Sequence, residues 1–589
     1  MTVEALPLHG TRRGRIANIL RGANPWHHGL LVLVALLVGT PLVFLILGSF
    51  SETDLPTEFS LSRLSLGNYL DVWGDPGTYA LFHNTFIYVT GATAFGITVA
   101  AALAWLVERS NIPGKIWIYA GVPMTLAMPG MLQAMAYVIL LSPRIGIVNS
   151  LIAPLGLGPI NVYSLGGMIF VEGLRLVPTA FLMLVPLLRS MDPALEEAAA
   201  MSGAGPRSIL RKITLRVMLP GLAAVLIYQF VTALEVFEVP GILGMPSGIH
   251  VFATKIYVIH HAATDLPEYG KANALAMIYL LVAVIATVAY LRVISHQERF
   301  TIVTGKGYRP RVFDLGRWRW PAVGLVMAYL AFSIILPFLV FIYISLLPFV
   351  QTPNLESLRH LTLANYRYAI EDPFLAQAVW NTLVVVIVAS TGTVVLSFFV
   401  SLVVVRSRFW GRKILDQFAF ASHAIPGIVL GLAFLWVFLQ GENLGIGLFG
   451  SIWSIAIAFV VSYVAYGTRA MNAAILQIHK DLEEAAHVSG AAQLRTMWRV
   501  FFPLLAPALV GVWVWVMLHV VRSASLPLLL YQGPENQLLA VLIWNMWDQG
   551  EIEAVGAIGV LLILLLLGVT FFFRTLGFGS SRHIQQAGN

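Results

Sequence analysis

Twelve runs of apolar residues in this sequence are long enough to cross a bilayer. They lie at about 29–50, 85–107, 117–141, 162–187, 218–239, 272–293, 322–347, 381–405, 416–439, 452–475, 507–530 and 554–573. A spanning helix needs about 20 apolar residues at roughly 1.5 Å each, so these runs leave the chain few other fates. Composition agrees: 58% of the 589 residues are hydrophobic and 11% are charged, against roughly 25% charged in soluble domains. The chain is read as an all-α integral membrane protein, because each span must satisfy its backbone groups internally. No cysteine is present, which excludes disulfides, thiolate metal sites and cysteine nucleophiles. The first run exceeds the about 7–15 apolar residues of a signal sequence, so it reads as a retained span.

Charge placement sets orientation. Arg12, Arg13, Arg15 and Arg21 precede the first span, whereas segment 51–84 holds Glu52, Asp54, Glu58, Asp71 and Asp75 against Arg63. Segments 108–116, 294–320 and 406–415 are basic, and 531–553 holds four acids and no base. The positive-inside rule places both termini in the cytoplasm. The net charge of +7 then reflects basic cytoplasmic loops, and nucleic acid is not an expected partner.

The sequence also repeats itself. Leu66-Gly67-Asn68-Tyr69 recurs as Leu363-Ala364-Asn365-Tyr366, Arg109-Ser110 as Arg406-Ser407 and Pro129-Gly130 as Pro426-Gly427, all 297 residues apart. Further on, Leu195–Pro220 recurs as Leu482–Pro507 at 287, so the first half carries ten extra residues, assigned to segment 142–161. One change of offset over most of the chain is the mark of a duplication. Both halves hold six spans and begin on the same side, as parallel repeats do. The expected division is a first half at 1–293 (loop about 190–217), a basic cytoplasmic linker at 294–320, and a second half at 321–589 (loop about 476–505).

The repeated loops read LEEAAAMSGAGPRSILRKITLRVMLP and LEEAAHVSGAAQLRTMWRVFFPLLAP. Their acids and bases keep them out of hydrocarbon. Glu196 and Glu197, with Glu483 and Glu484, suit the positive end of a helix, and Arg211 and Lys212, or Arg495 and Arg499, suit a later turn. Gly203 and Gly490 permit a left-handed turn between two short helices.

The pattern E-A-A, three residues, G in both loops resembles the EAA loop of permeases of binding-protein-dependent ABC importers. The resemblance covers nearly the whole chain, as two fused permease halves. It implies that Glu196, Glu197, Gly203, Glu483, Glu484, Gly490 and Pro503 belong to coupling helices that dock on two copies of a cytoplasmic ATPase. ATP and Mg would be bound there, and a periplasmic binding protein would deliver a small solute to the bacterial inner membrane. Where that family ends the motif in Leu-Pro, the second half has Phe502-Pro503 but the first has Leu215-Arg216. This predicts a first loop running continuously into the fifth span and a second broken before the eleventh. No G-x-x-x-x-G-K-[ST] loop occurs, so ATP is not cradled here by that route, and no catalytic motif argues for an enzyme. Segment 237–257, FEVPGILGMPSGIHVFATKIY, and the fused length look most like the ferric-iron branch. That branch implies ferric iron, with thiamine, polyamines or phosphonates as alternatives. An ion-driven secondary transporter shares the hydropathy but gives no reason for two matched loops.

Ionisable residues in spans face a polar cavity or one another. Glu172 and Arg175 lie in the fourth span, Glu235 and Glu238 near the outer end of the fifth, and Arg522 at the position matching Glu235 in the eleventh. A gate pair or solute contact is one reading of Glu235, Glu238 and Arg522; snorkelling is the other. Pro240 and Pro527 open matching outward segments, each bracketed by a second proline, which predicts folded-back loops at a gate. His250, His260 and His261 read as solvated surface rather than a metal site.

Overall fold

The computed structural model describes residues 25–52, 55–156, 158–189, 194–261, 267–297, 312–354, 356–490 and 493–586. The arginines expected to orient the N-terminal tail and residues 298–311 of the linker lie outside them. Among the described residues the chain is helical, and extended backbone pairs only in two isolated bridges. Ten helices are long and apolar enough to span a membrane, and three sharply bent helix pairs meet the same criterion together. The twelve apolar runs fall on these ten helices and on two of the bent pairs.

Those two bent pairs correct the expectation of continuous third and ninth spans. Lys115–Ala127 and Gly130–Leu141 meet at 92°, and Arg412–Ala424 and Gly427–Asn443 meet at 112°. The cause is local. Pro129 and Pro426 force the residue before them out of the helical region, and Met128 (ψ 116°) and Ile425 (ψ 112°) are extended. The fifth and eleventh spans also stop early, at Glu235 and Arg522, because Val236 and Ser523 turn extended.

The duplication is visible helix by helix. Pro76–Arg109 recurs as Pro373–Arg406 at a separation of 297, and Leu165–Arg189 and Leu215–Glu235 recur as Ile452–Leu476 and Phe502–Arg522 at 287. Packing redistributes the halves into two compact units. One joins Met1–Ser65 to Val379–Gln537, and the other joins Leu66–Ala378 to Leu538–Asn589. In the first unit, helix Pro25–Ser49 lies on Arg412–Ala421 and Gly427–Asn443. In the second, helix Leu336–Ser345 lies on Gly130–Leu141 and on Ile552–Gln586. Each half's first span therefore packs on at least one helix of the other half's sequence.

The second unit is centred on Pro76–Arg109 against Leu165–Arg189. Small residues let the two backbones approach. A Cβ on Gly96 would stand 2.8 Å from the Gly173 carbonyl oxygen.

Candidate coupling site

Helix Ala194–Met201 carries the first E-A-A sequence. Its two glutamates face opposite ways. Glu196 is buried at 1% exposure and Arg109, at 0%, lies 3.5 Å away as its ion partner. The Thr214 hydroxyl donates to Glu196 Oε1 at 2.7 Å, and Arg109 donates to the Leu188 carbonyl at 3.2 Å. Glu196 thus holds the loop onto the ends of the second and fourth spans, and Glu197 alone of the pair is exposed. A second ion pair ties the same ends, with Arg189 donating to Glu108 at 2.8 Å and Tyr119 bonded to both.

The turn that carries Arg109 is itself secured by the returning linker. Phe313 donates its N–H to the Arg109 carbonyl at 2.8 Å, and Asn111 bonds Asp314 at 2.6 Å. The Gly316 N–H and the Asn111 amide hold the Asp314 carboxyl below its usual range, so it is charged at neutral pH.

In the second half, Arg406 occupies the place of Arg109 and donates to the Ile475 carbonyl at 3.0 Å, the residue matching Leu188. Where the first half has Thr214, the second has Phe501, and the Arg406 guanidinium lies 5.7 Å from that ring. Phe501 thus makes a cation–π contact with the arginine, whereas Thr214 bonds the glutamate. Helix Lys480–Val488 carries the second E-A-A sequence, with Glu484 exposed. Glu483 lies in the same helix, but its side chain falls outside the described ones.

Both E-A-A helices present the same surface. Residues four apart share a helix face, and Glu197 stands one turn before Met201 as Glu484 stands before Val488. Met201 and Val488 are each 90% exposed. Arg211, Lys212, Arg495 and Arg499 are exposed beyond them. An isolated exposed apolar side chain is ordinary. Two at matched positions, each beside a carboxylate, form a surface that both halves repeat.

Both helices end on glycine. Gly203 has φ +81° and Gly490 has φ +78°. The Gly203 N–H bonds the Ala200 carbonyl and the Ala204 N–H bonds that of Ala199, each at 3.0 Å, a Schellman turn. A Cβ at either glycine would meet nothing within 4 Å, so backbone conformation alone demands glycine. Gly203→Ala and Gly490→Ala each cost about 1–2 kcal/mol locally. Faster proteolysis at the altered loop, with unchanged membrane insertion, is the expected result, and Asn at either position is expected to be milder.

The predicted break before the eleventh span is absent. Both loops pass through a π turn, Leu210–Thr214 and Met497–Phe501, directly into the next helix. Pro503 sits in the first turn of Phe502–Arg522, where a missing N–H is tolerated. The widened π turn gives its ring room, so Arg216 and Pro503 yield the same path.

The remaining candidates lie at the opposite ends of these helices. Glu235 closes helix Leu215–Glu235 half-buried, its Oε1 without a hydrogen-bond partner among the described residues. Three residues on, Glu238 lies near Glu172 and Arg175. Arg522 donates from Nε to the Leu518 carbonyl at 2.9 Å. Its Nη2 lies 3.3 Å from His519 Nε2, while His519 Nδ1 lies 2.8 Å from the Trp515 carbonyl. Pro240 opens a buried π turn that leads to Phe252–His260 through a 72° bend, the folded-back loop its prolines predict. Pro527 is buried in helix Ser525–Leu530. No group of three histidine, aspartate or glutamate side chains placed to hold a metal ion forms among the described residues.

Sequence reasoning missed Arg109, Arg406, Met201 and Val488. The two arginines were visible as a matched pair but read only as positive-inside charge. The apolar pair was visible as the residue four after each E-A-A glutamate.

Residues 92–298 and 393–577 each match the family described as binding-protein-dependent transport system inner membrane component. The chain is 26% identical over 504 residues to the ferric transport system permease protein FbpB of Actinobacillus pleuropneumoniae, covering 84% of this chain and 70% of that one. It is 24% identical to the probable ABC transporter permease protein y4fN of Sinorhizobium fredii, covering 81% of each. A crystal structure of a bacterial ABC transporter that imports alginate aligns with 49% of this chain and 100% of its own, at 20% identity and a TM-score of 0.39.

Proposed function

Because the chain belongs to the binding-protein-dependent transport system inner membrane components, as a fused double permease, we propose that its two loops dock a pair of separate ATPase subunits and that its solute is ferric iron. The observation that carries the docking is the doubled surface Glu197–Met201 and Glu484–Val488. Closure of the ATPase pair on ATP and Mg draws the two coupling helices together, and the bundle shifts between inward- and outward-open states. Arg109 and Glu196 transmit that pull to the second and fourth spans.

A periplasmic binding protein supplies the solute on the face opposite the loops. The basic segments 108–116 and 406–415 favour cytoplasmic loops and termini. Iron is favoured by the relative whose name is ferric transport system permease. The purified chain is expected to hydrolyse no ATP and to co-purify with two ATPase subunits when expressed with them. Hydrolysis by the chain alone contradicts the assignment. Loss of ferric uptake on deleting the chain tests the solute, and thiamine, polyamine or phosphonate uptake lost instead would reassign it.

A further inference from the structure

Span Leu165–Arg189 buries a charged pair that the coupling mechanism does not use. Arg175 grips Glu172 with two bonds, Nε at 2.9 Å and Nη2 at 2.6 Å. Glu172 is 0% exposed, but Arg175 is 29% exposed, so the pair opens on one side. The Glu238 carboxylate and the Tyr88 phenol lie within electrostatic reach of both. Tyr88 is 1% exposed, and its hydroxyl faces Glu172 but makes no hydrogen bond of ordinary geometry among the described residues.

The duplication supplies an internal control. At the positions matching Tyr88, Glu172, Arg175 and Glu238, the second half holds Val385, Phe459, Ser462 and Ser525. The helices that carry Tyr88, Glu172 and Arg175 have the same bounds as their counterparts, and Val385 and Phe459 are buried. The scaffold therefore builds this region without charge. A buried ion pair is costly to desolvate and a poor source of stability, and ionisable groups at membrane depth mark solute pathways.

We propose that Glu172, Glu238 and the Tyr88 phenol form an intramembrane site for one hard trivalent cation, and that Arg175 is the internal counter-ion the cation displaces. The donors are all oxygen, which suits hard cations over soft ones. Two carboxylates against one guanidinium leave the group net negative, and displacing Arg175 exposes both oxygens of Glu172. The proposal rests on the reading of the solute as ferric iron, and it places a solute contact in the first half alone.

The test uses the purified full-length chain in nanodiscs with Tb3+ as a redox-inert trivalent probe, read by tyrosine- and tryptophan-sensitised luminescence. One saturable Tb3+ per chain is expected, weakened at least tenfold by Glu172→Gln or Glu238→Gln. Arg175→Met is expected to tighten binding at least threefold, a gain that loss of a merely structural pair does not produce. The double substitution Glu172→Phe with Arg175→Ser installs the residues of the second half, so it is expected to fold and to lose the site. Tb3+ binding unchanged in that double variant overturns the proposal, as does ferric uptake unchanged in cells carrying it. Absence of ferric uptake in cells carrying the unmodified chain and its partners overturns instead the iron reading beneath it.

Discussion

Replacing Met201 and Val488 by aspartate together is expected to abolish ATP-driven uptake while leaving the chain in the membrane at normal abundance. Both side chains are 90% exposed, so neither contributes to the fold, and the loss must come from docking. Full burial of a side chain of this size is worth roughly 1.5–3 kcal/mol. Losing that at one contact weakens docking roughly ten- to a hundredfold, and an aspartate adds the cost of desolvating a charge. Each single substitution therefore reduces uptake, and the pair removes it. Glu197→Lys and Glu484→Lys are expected to weaken uptake to a similar degree, because the two loops share one path and no break at Pro503 distinguishes them. Uptake assays with quantitative membrane blotting check both results, and normal uptake by the double aspartate variant contradicts the docking surface.

Arg109→Met is expected to be among the most destabilising single changes in the first loop. It leaves Glu196 buried without its cation, and breaking such a pair costs about 3–5 kcal/mol. Adding Glu196→Leu removes the stranded charge, and most of the stability is expected to return, since apolar replacement of a buried pair is often neutral. Arg406→Met is expected to cost less. Arg406 is half-buried, and its described contacts are two carbonyls and the Phe501 ring. Thermal unfolding of the purified chain in detergent separates these cases. A double variant no more stable than Arg109→Met contradicts the account of the pair.

Spans and duplication were legible because hydropathy and repeat offset are properties of the sequence itself. The helix bounds reproduce both offsets. The left-handed Gly203 and Gly490 were legible for a related reason, since few residues other than glycine end a helix that way. The 92° and 112° bends were not, because Pro129 and Pro426 sit inside unbroken apolar runs and hydropathy does not register φ and ψ. The inward turn of Glu196 was hidden because its partner, Arg109, lies in another span. Exposure of Met201 and Val488 was hidden for the opposite reason: an apolar residue on an amphipathic helix reads as core until its neighbours are known. The packing of helix Pro25–Ser49 on Arg412–Asn443 helices depends on contacts nearly 400 residues apart in sequence, which no local pattern carries.

The central claim is that both loops seat an ATPase, one each. The chain contains no cysteine, so Met201→Cys or Val488→Cys introduces a single thiol that accepts a benzophenone-maleimide photocrosslinker. The chain, co-expressed with its ATPase, is labelled at one thiol, irradiated in membranes and probed with azido-ATP. Each variant is expected to yield one adduct that carries the nucleotide label. A label that reaches the ATPase from only one of the two positions, or from neither, contradicts the claim.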